Sequence, residues 1–207
     1  MKNRIHGFTL IELLVVIAIV AILSVVVVLT LNPAQLLAQS RDSNRTSDMA
    51  TLKTGLSLYL ADVTPVVLAS ASSSVRCYVS ATSTVAATIP ANCGTRYVGT
   101  SLTTASTTNM RAIDGTGWIG YQTGTNGPNF NLISAGAPFG QLPVDPSNTA
   151  TYFYSYAADI TNQTFKFAVH MESKKFQFGG GAADVEGNTI DGGTQNNAYE
   201  VGTNVKL

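Results

Sequence analysis

From Phe8 to Leu31 the chain runs 24 residues with a single ionisable side chain, Glu12. A helix needs about 20 apolar residues to cross the hydrocarbon of a bilayer, so this run is long enough to span with some tilt. Lys2 and Arg4 precede it, and the next charge after Glu12 is Arg41. Positive charge beside a first span is retained in the cytoplasm, which predicts the N-terminus inside and the bulk of the chain outside. The pattern differs from an ordinary secretory signal, whose small-residue cleavage site follows the apolar core. Here the cleavable junction, Gly7-Phe8, comes first. Processing there would leave the apolar segment on the mature protein.

Glu12 needs an explanation, because a carboxylate inside a span costs on the order of a few kcal/mol and such residues usually have a partner. One reading puts it near the headgroups in reach of water, since it would be only the fifth residue after a cut at Gly7. The other gives it a charged partner from outside its own span.

The 207 residues fit one domain plus one long anchor. Charged residues make up 12% of the chain, against about 25% in an ordinary soluble domain. Formal net charge is zero, from 12 basic and 12 acidic residues; loss of Lys2 and Arg4 would leave 10 against 12. No basic patch points to nucleic acid as a partner. Of the two histidines, His6 would leave with the leader, and no Ser/His/Asp set assembles around His170. Gly179-Gly180-Gly181 lacks the Lys-Ser/Thr of a phosphate loop. The expectation is a non-enzyme without cofactor.

Beyond Leu31, Asn32-Pro33 interrupts the helical signal, since proline removes a backbone bond and disfavours helix at the preceding residue. Strong helix formers resume at Ala34. Ala38, Arg45, Met49, Leu52, Leu56 and Tyr59 then follow mostly three- and four-residue spacing, a largely apolar stripe. Arg41, Asp42, Asn44, Asp48 and Lys53 take the other face. The expectation is a helix kinked at Pro33, from Phe8 to about Ala61, roughly 80 Å long. Its outer half would pack its stripe on a globular head.

From Ala69 to Thr108, 24 of 40 residues are Ser, Thr or Ala. Such sequence offers little core material and reads as a surface loop or solvated spacer, open to O-glycans or a partner. It holds both cysteines, Cys77 and Cys93. Outside the membrane a disulfide is the favoured state, ahead of two free thiols. A metal site lacks further ligands nearby.

The C-terminal part reads as strands. Gly115 to Tyr121 is a turn entering a short strand, and Leu142 to Asn148 is a turn cluster. Thr151 to Tyr156 is rich in strand formers. Thr164 to Met171 alternates: Phe165, Phe167, Val169 and Met171 on one face, Lys166, Ala168 and His170 on the other. A period of two predicts one buried face, against the helix stripe, and one solvated face carrying His170. Tyr199 to Leu207 is expected to close as a last strand.

Gly7-Phe8-Thr9-Leu10-Ile11-Glu12 matches residue for residue the signature of type IV pilins and type II secretion pseudopilins, and the chain resembles that class. The resemblance implies a pilin fold: α+β, a long kinked N-terminal helix on a C-terminal antiparallel sheet. It implies cleavage between Gly7 and Phe8 by a membrane prepilin peptidase, N-methylation of Phe8, and recruitment into a homopolymer through Glu12. An assembly ATPase and a membrane platform protein are the further partners implied. The division expected is a leader at 1–7, a membrane and filament-core helix at 8–31, its outer half at 32–62, a variable disulfide loop at 63–114 and a sheet head at 115–207. The chain would be a single-pass membrane protein before assembly and a surface filament after it. Leu142 to Tyr156 resembles, more loosely, the Pro-x-Asp-Pro stretch of major pseudopilins, so a pseudopilin is the alternative. Those proteins often bind calcium in a later acidic loop; here Asp184, Glu186 and Asp191 lie between Gly179 and Gly193, in an order that fits no calcium signature, and a plain flexible loop is expected. A monomeric membrane-anchored binding protein is the second alternative.

Overall fold

The computed structural model describes residues 7–64, 66, 68, 76–89, 93–94, 96–97, 101–104, 109–119, 132 and 140–207. Most of the leader, much of the Ser/Thr/Ala-rich segment and the Gly120-Tyr121 end of the expected strand lie outside the described residues. The chain divides into two units, 1–37 and 38–207.

The first unit holds α1 (Leu10–Leu31), none of whose residues is buried within the single chain. Its length and composition suffice to cross a membrane. It ends at Asn32, which takes a left-handed conformation (φ 41°, ψ 75°). The next helix, α2 (Pro33–Asp62), opens with proline at its first position, where the missing N–H would have been unpaired anyway. Asn32 also starts α2: its carbonyl accepts from the Gln35 N–H at 2.9 Å. Helix therefore runs from Leu10 to Asp62 with a one-residue break, and the kink expected at Pro33 resolves into a cap shared by two helices.

In the second unit α2 buries Ala38, Asp42, Arg45, Met49, Leu52, Gly55, Leu56 and Tyr59. The stripe follows the expected spacing, but Asp42, assigned to the solvent face, lies inside it.

Five strands form one sheet in the order β2-β1-β3-β4-β5: β1 (Arg76–Val79), β2 (Ser101–Thr104), β3 (Ser155–Asp159), β4 (Thr164–Val169) and β5 (Tyr199–Gly202). Neighbours from β1 through β5 are antiparallel, while β2 pairs parallel to β1 at the edge. The fold is thus α+β with a four-stranded antiparallel sheet, as expected, plus a parallel edge strand. Register places Tyr78, Tyr156, Phe167 and Val201 in one row across the sheet. Adjacent rings in that row lie 5.9 and 5.1 Å apart, in the range where aromatic pairs attract. This face packs with Met49, Leu52, Leu56 and Tyr59 of α2 in the main core.

Two expectations are corrected here. The segment 63–114 is not a mere loop: it supplies β1 and β2, and Cys77, Tyr78 and Val79 are wholly buried. Low complexity did not prevent this, because the short run Arg76-Cys77-Tyr78-Val79 carries the pairing. The second sheet face is not solvated either. Cys77, Val79, Ala86, Ile89, Cys93, Tyr97, Ala157 and Ala168 form a second core on it, alongside Phe153. The Cys77–Cys93 disulfide sits inside that core with Cα atoms 6.2 Å apart. Lys166, expected in water, is fully buried; its Nζ donates to Glu200 Oε1 at 2.7 Å and lies 4.9 Å from the Tyr97 ring centroid. A sheet face lined by small apolar residues also needs an apolar cover, and here the disulfide segment provides it.

Gly115–Ile119 forms bends instead of a strand entry. It delivers Trp118 to the core, where the indole Nε1 donates to Pro143 O at 2.9 Å. Gly117 makes this possible: a Cβ there would meet Ala112 O at 1.9 Å.

Candidate functional site

The site with the strongest chemistry is the entry to α1. Thr9 is its N-cap, extended at φ −81°, ψ 151°, and with Glu12 it completes a capping box. Glu12 Oε2 accepts from the Thr9 N–H at 2.8 Å and from the Thr9 hydroxyl at 2.7 Å. The Glu12 N–H donates to Thr9 Oγ1 at 3.3 Å. The carboxylate also sits in the first helical turn, where unpaired N–H groups favour negative charge. Within one chain Glu12 is therefore satisfied locally, without a second charge.

Ahead of Thr9 the backbone is not helical, and Gly7 and Phe8 are both exposed. A Cβ built on Gly7 meets nothing within 4 Å, and Gly7 is not among the positive-φ glycines. Space alone in the single chain does not require glycine there.

A second charged assembly, missed in the sequence, holds α2 in the head. Arg45 is wholly buried and donates through Nε and Nη2 to Asp145 at 2.8 and 2.9 Å, and through Nη1 to Asp42 at 2.8 Å. Asp42 in turn accepts from the backbone N–H groups of Glu172 and Ser173 at 2.8 and 2.7 Å. Arg41 pairs with Glu172; its hydrogen bonds hold the Glu172 carboxyl below the usual range. Burial alone would lower the Arg45 pKa, but Asp145 and Asp42 more than offset it, so it stays above its ordinary value. The available signal was Arg45 itself: a charge in an apolar stripe is a buried charge that needs carboxylates. Asp145 stands in the Pro-Val-Asp-Pro turn quoted above.

The acidic loop is also changed from expectation. Asp184 Oδ1 accepts from the N–H groups of Glu186 and Gly187, and Oδ2 from Gly179 at 2.8 Å. Asp191 accepts from Gly193 and Glu200. These carboxylates pin backbone, so the segment is a tied loop and not a slack one. Among the described residues no three His, Cys, Asp or Glu side chains group as a metal site requires. The candidate residues fall in separate places: Gly7, Phe8 and Glu12 in the first unit, Pro33 at the first position of α2, Cys77 and Cys93 in the second core.

A family model described as the prokaryotic N-terminal methylation motif matches residues 2–28. This motif is the prepilin-type signature of type IV pilins and pseudopilins. No curated protein and no solved structure matches the chain. The motif, the apolar N-terminal helix and the Cys77–Cys93 disulfide together fit a pilin-like or pseudopilin protein anchored in a membrane.

Proposed function

We propose that this chain is the structural subunit of a type IV pilus-like filament. It enters the membrane as a prepilin with its N-terminus in the cytoplasm. A prepilin peptidase cuts between Gly7 and Phe8 and methylates the new amine of Phe8. Subunits then polymerise through α1, driven by an assembly ATPase and a membrane platform protein. The carrying observation is the methylation motif at residues 2–28, on a helix whose every residue is exposed in the single chain. Such a helix needs an apolar surrounding, which lipid supplies before assembly and copies of itself supply after.

Glu12 has two successive partners in this reading. In the membrane it is held by Thr9. In the filament the cleaved, methylated amine of a neighbour's Phe8 replaces Thr9 as partner, since in low dielectric a carboxylate gains more from a full positive charge than from uncharged donors. The nearest alternative is a major pseudopilin, supported by the Pro143-Val144-Asp145-Pro146 turn, whose Asp145 anchors Arg45 of α2. A monomeric anchored binding protein remains the second alternative. Glu12→Ala, expressed in a host with the matching machinery, tests assembly. The expected result is normal membrane insertion and loss of filaments by electron microscopy. Filaments at wild-type number without the carboxylate would remove its assembly role.

A further inference from the structure

At one end of the sheet the head carries an open cavity of about 400 Å³ that the filament reading does not use. Ser155 pairs with Ala168 and Val169 with Tyr199, so the residues just before β3, just after β4 and just before β5 emerge together. They bring Tyr152, His170 and Asn197 to the cavity wall, and the turn after Ser173 adds Gln177 and Phe178. The volume falls in the range of small-molecule sites, about 300–1,000 Å³.

Buried charged groups fix its walls. Arg45 lies 5.0 Å from the centroid of the Tyr152 ring, holding that ring in place. The buried Arg96 donates through Nη2 to Thr151 O at 3.1 Å. Glu186 accepts from the Met171 N–H at 2.6 Å and the Phe178 N–H at 3.0 Å, tying two wall segments to one carboxylate. Gln177 Nε2 donates to Met171 O at 3.0 Å. Wall geometry held by such supports is what a binding site requires, because ordering is done before the ligand arrives.

The chemistry left to a ligand is neutral. Glu186 is the charged side chain lining the cavity among the described residues, and both its oxygens are committed to backbone N–H groups. His170 Nδ1 faces the carbonyl of Asn197, so this nitrogen carries the proton and Nε2 is an acceptor. Burial, and then the charge of Arg96, push the imidazole pKa down to about 3, so it stays neutral at physiological pH. Gln177 uses its amide N–H groups on the backbone and keeps Oε1 as an acceptor. Phe178 is 60% exposed. A cation would want an uncommitted carboxylate and an anion a basic group, and among the described residues neither lines this wall. A polyol can donate to His170 Nε2 and Gln177 Oε1 and exchange a bond with the Tyr152 hydroxyl. Its C–H face carries slight positive charge that suits the negative face of an aromatic ring.

We propose that this cavity binds a neutral hydroxylated ring, the size of one monosaccharide unit of a glycan, with Phe178 as stacking face and His170, Gln177 and Tyr152 as hydrogen-bond partners. The site does not depend on polymerisation. The test uses the full chain in lauryldimethylamine oxide micelles, which carry no sugar headgroup. Saturation-transfer NMR would be run against the methyl glycosides of glucose, galactose, mannose, N-acetylglucosamine and N-acetylgalactosamine, with methyl glucuronide as the charged comparison. At least one neutral glycoside should bind saturably, with Kd of about 1 mM or tighter. Phe178→Ala and Gln177→Ala should each weaken it about tenfold, with circular dichroism unchanged. Phe178 is exposed, so its variant keeps the fold and decides the matter if Gln177→Ala does not fold. Saturable binding of none of the neutral glycosides, binding of the glucuronide alone, or undiminished binding by Phe178→Ala would each overturn the proposal, and none of these would touch the filament reading.

Discussion

The helix α1 and the head solve opposite problems with charge. α1 carries one carboxylate in an otherwise apolar surface, and that carboxylate is satisfied within its own first turn by Thr9. The head buries Asp42, Arg45, Arg96, Asp145, Lys166, Asp184, Glu186 and Glu200, and several of their partners come from sequence positions far away. Arg45 reaches Asp145 across 100 residues and Lys166 reaches Glu200 across 34. The first arrangement needs no tertiary structure, so the single chain makes it before any partner binds. The second defines a single packed state, since each buried charge is stranded if the pairing is lost.

The largest effect should come from breaking a long-range pair. Arg45→Ala leaves Asp42 and Asp145 buried without their cation and should destabilise the head by about 3–5 kcal/mol, read by chemical denaturation of the full chain in micelles. A loss below about 1 kcal/mol would mean that water satisfies the carboxylates. Next is the covalent tie. The Cys77→Ala/Cys93→Ala double variant removes a cross-link between residues 16 apart, worth ~3 kcal/mol for a loop of about that size. An unchanged denaturation midpoint would show that the second core holds without it.

A third effect is spread over pH and is small within any one unit. The imidazole of His170 is held neutral with a folded pKa near about 3, against 6.5 in the unfolded chain. Folded pKa below unfolded means the unfolded state binds the extra proton, so this stability is fully present above pH 6.5 and lost as pH falls towards 3. The slope is at most about 1.4 kcal/mol per pH unit in that window. His170→Gln should flatten this slope, and an identical pH profile in the variant would refute the assignment. The smallest effect is expected from α1. Val16→Ala removes methyl groups exposed in the single chain, so head stability should stay within about 0.5 kcal/mol. A larger shift would break the separation between the two regions.

How far each region could be read in the sequence follows from the same contrast. The signals of α1 are local: a 24-residue apolar run, a Gly-Phe junction and Glu12 at the right spacing. The stripe of α2 and the alternation of β4 were legible for the same reason, since periodicity reports a face. Periodicity does not report what covers the opposite face. Lys166 and Ala168 therefore looked solvated, although Tyr97 and the disulfide segment cover them. Asp42 looked exposed because its partners, the backbone N–H groups of Glu172 and Ser173, lie 130 and 131 residues away. The β1 strand was hidden in Ser/Thr/Ala-rich sequence, where four residues, Arg76 to Val79, carry the pairing. His170 was placed on the right strand end, but its cavity depends on three segments that only the sheet register brings together.

The filament reading stands or falls on processing at Gly7-Phe8. The direct measurement is the intact mass of the protein purified from its native membrane or from shed filaments. The predicted result is a chain lacking Met1 to Gly7, carrying one added methyl, and two hydrogens lighter for the Cys77–Cys93 bond. Recovery of the full-length, unmethylated mass from a host that processes prepilins would contradict it and leave a monomeric membrane anchor in its place.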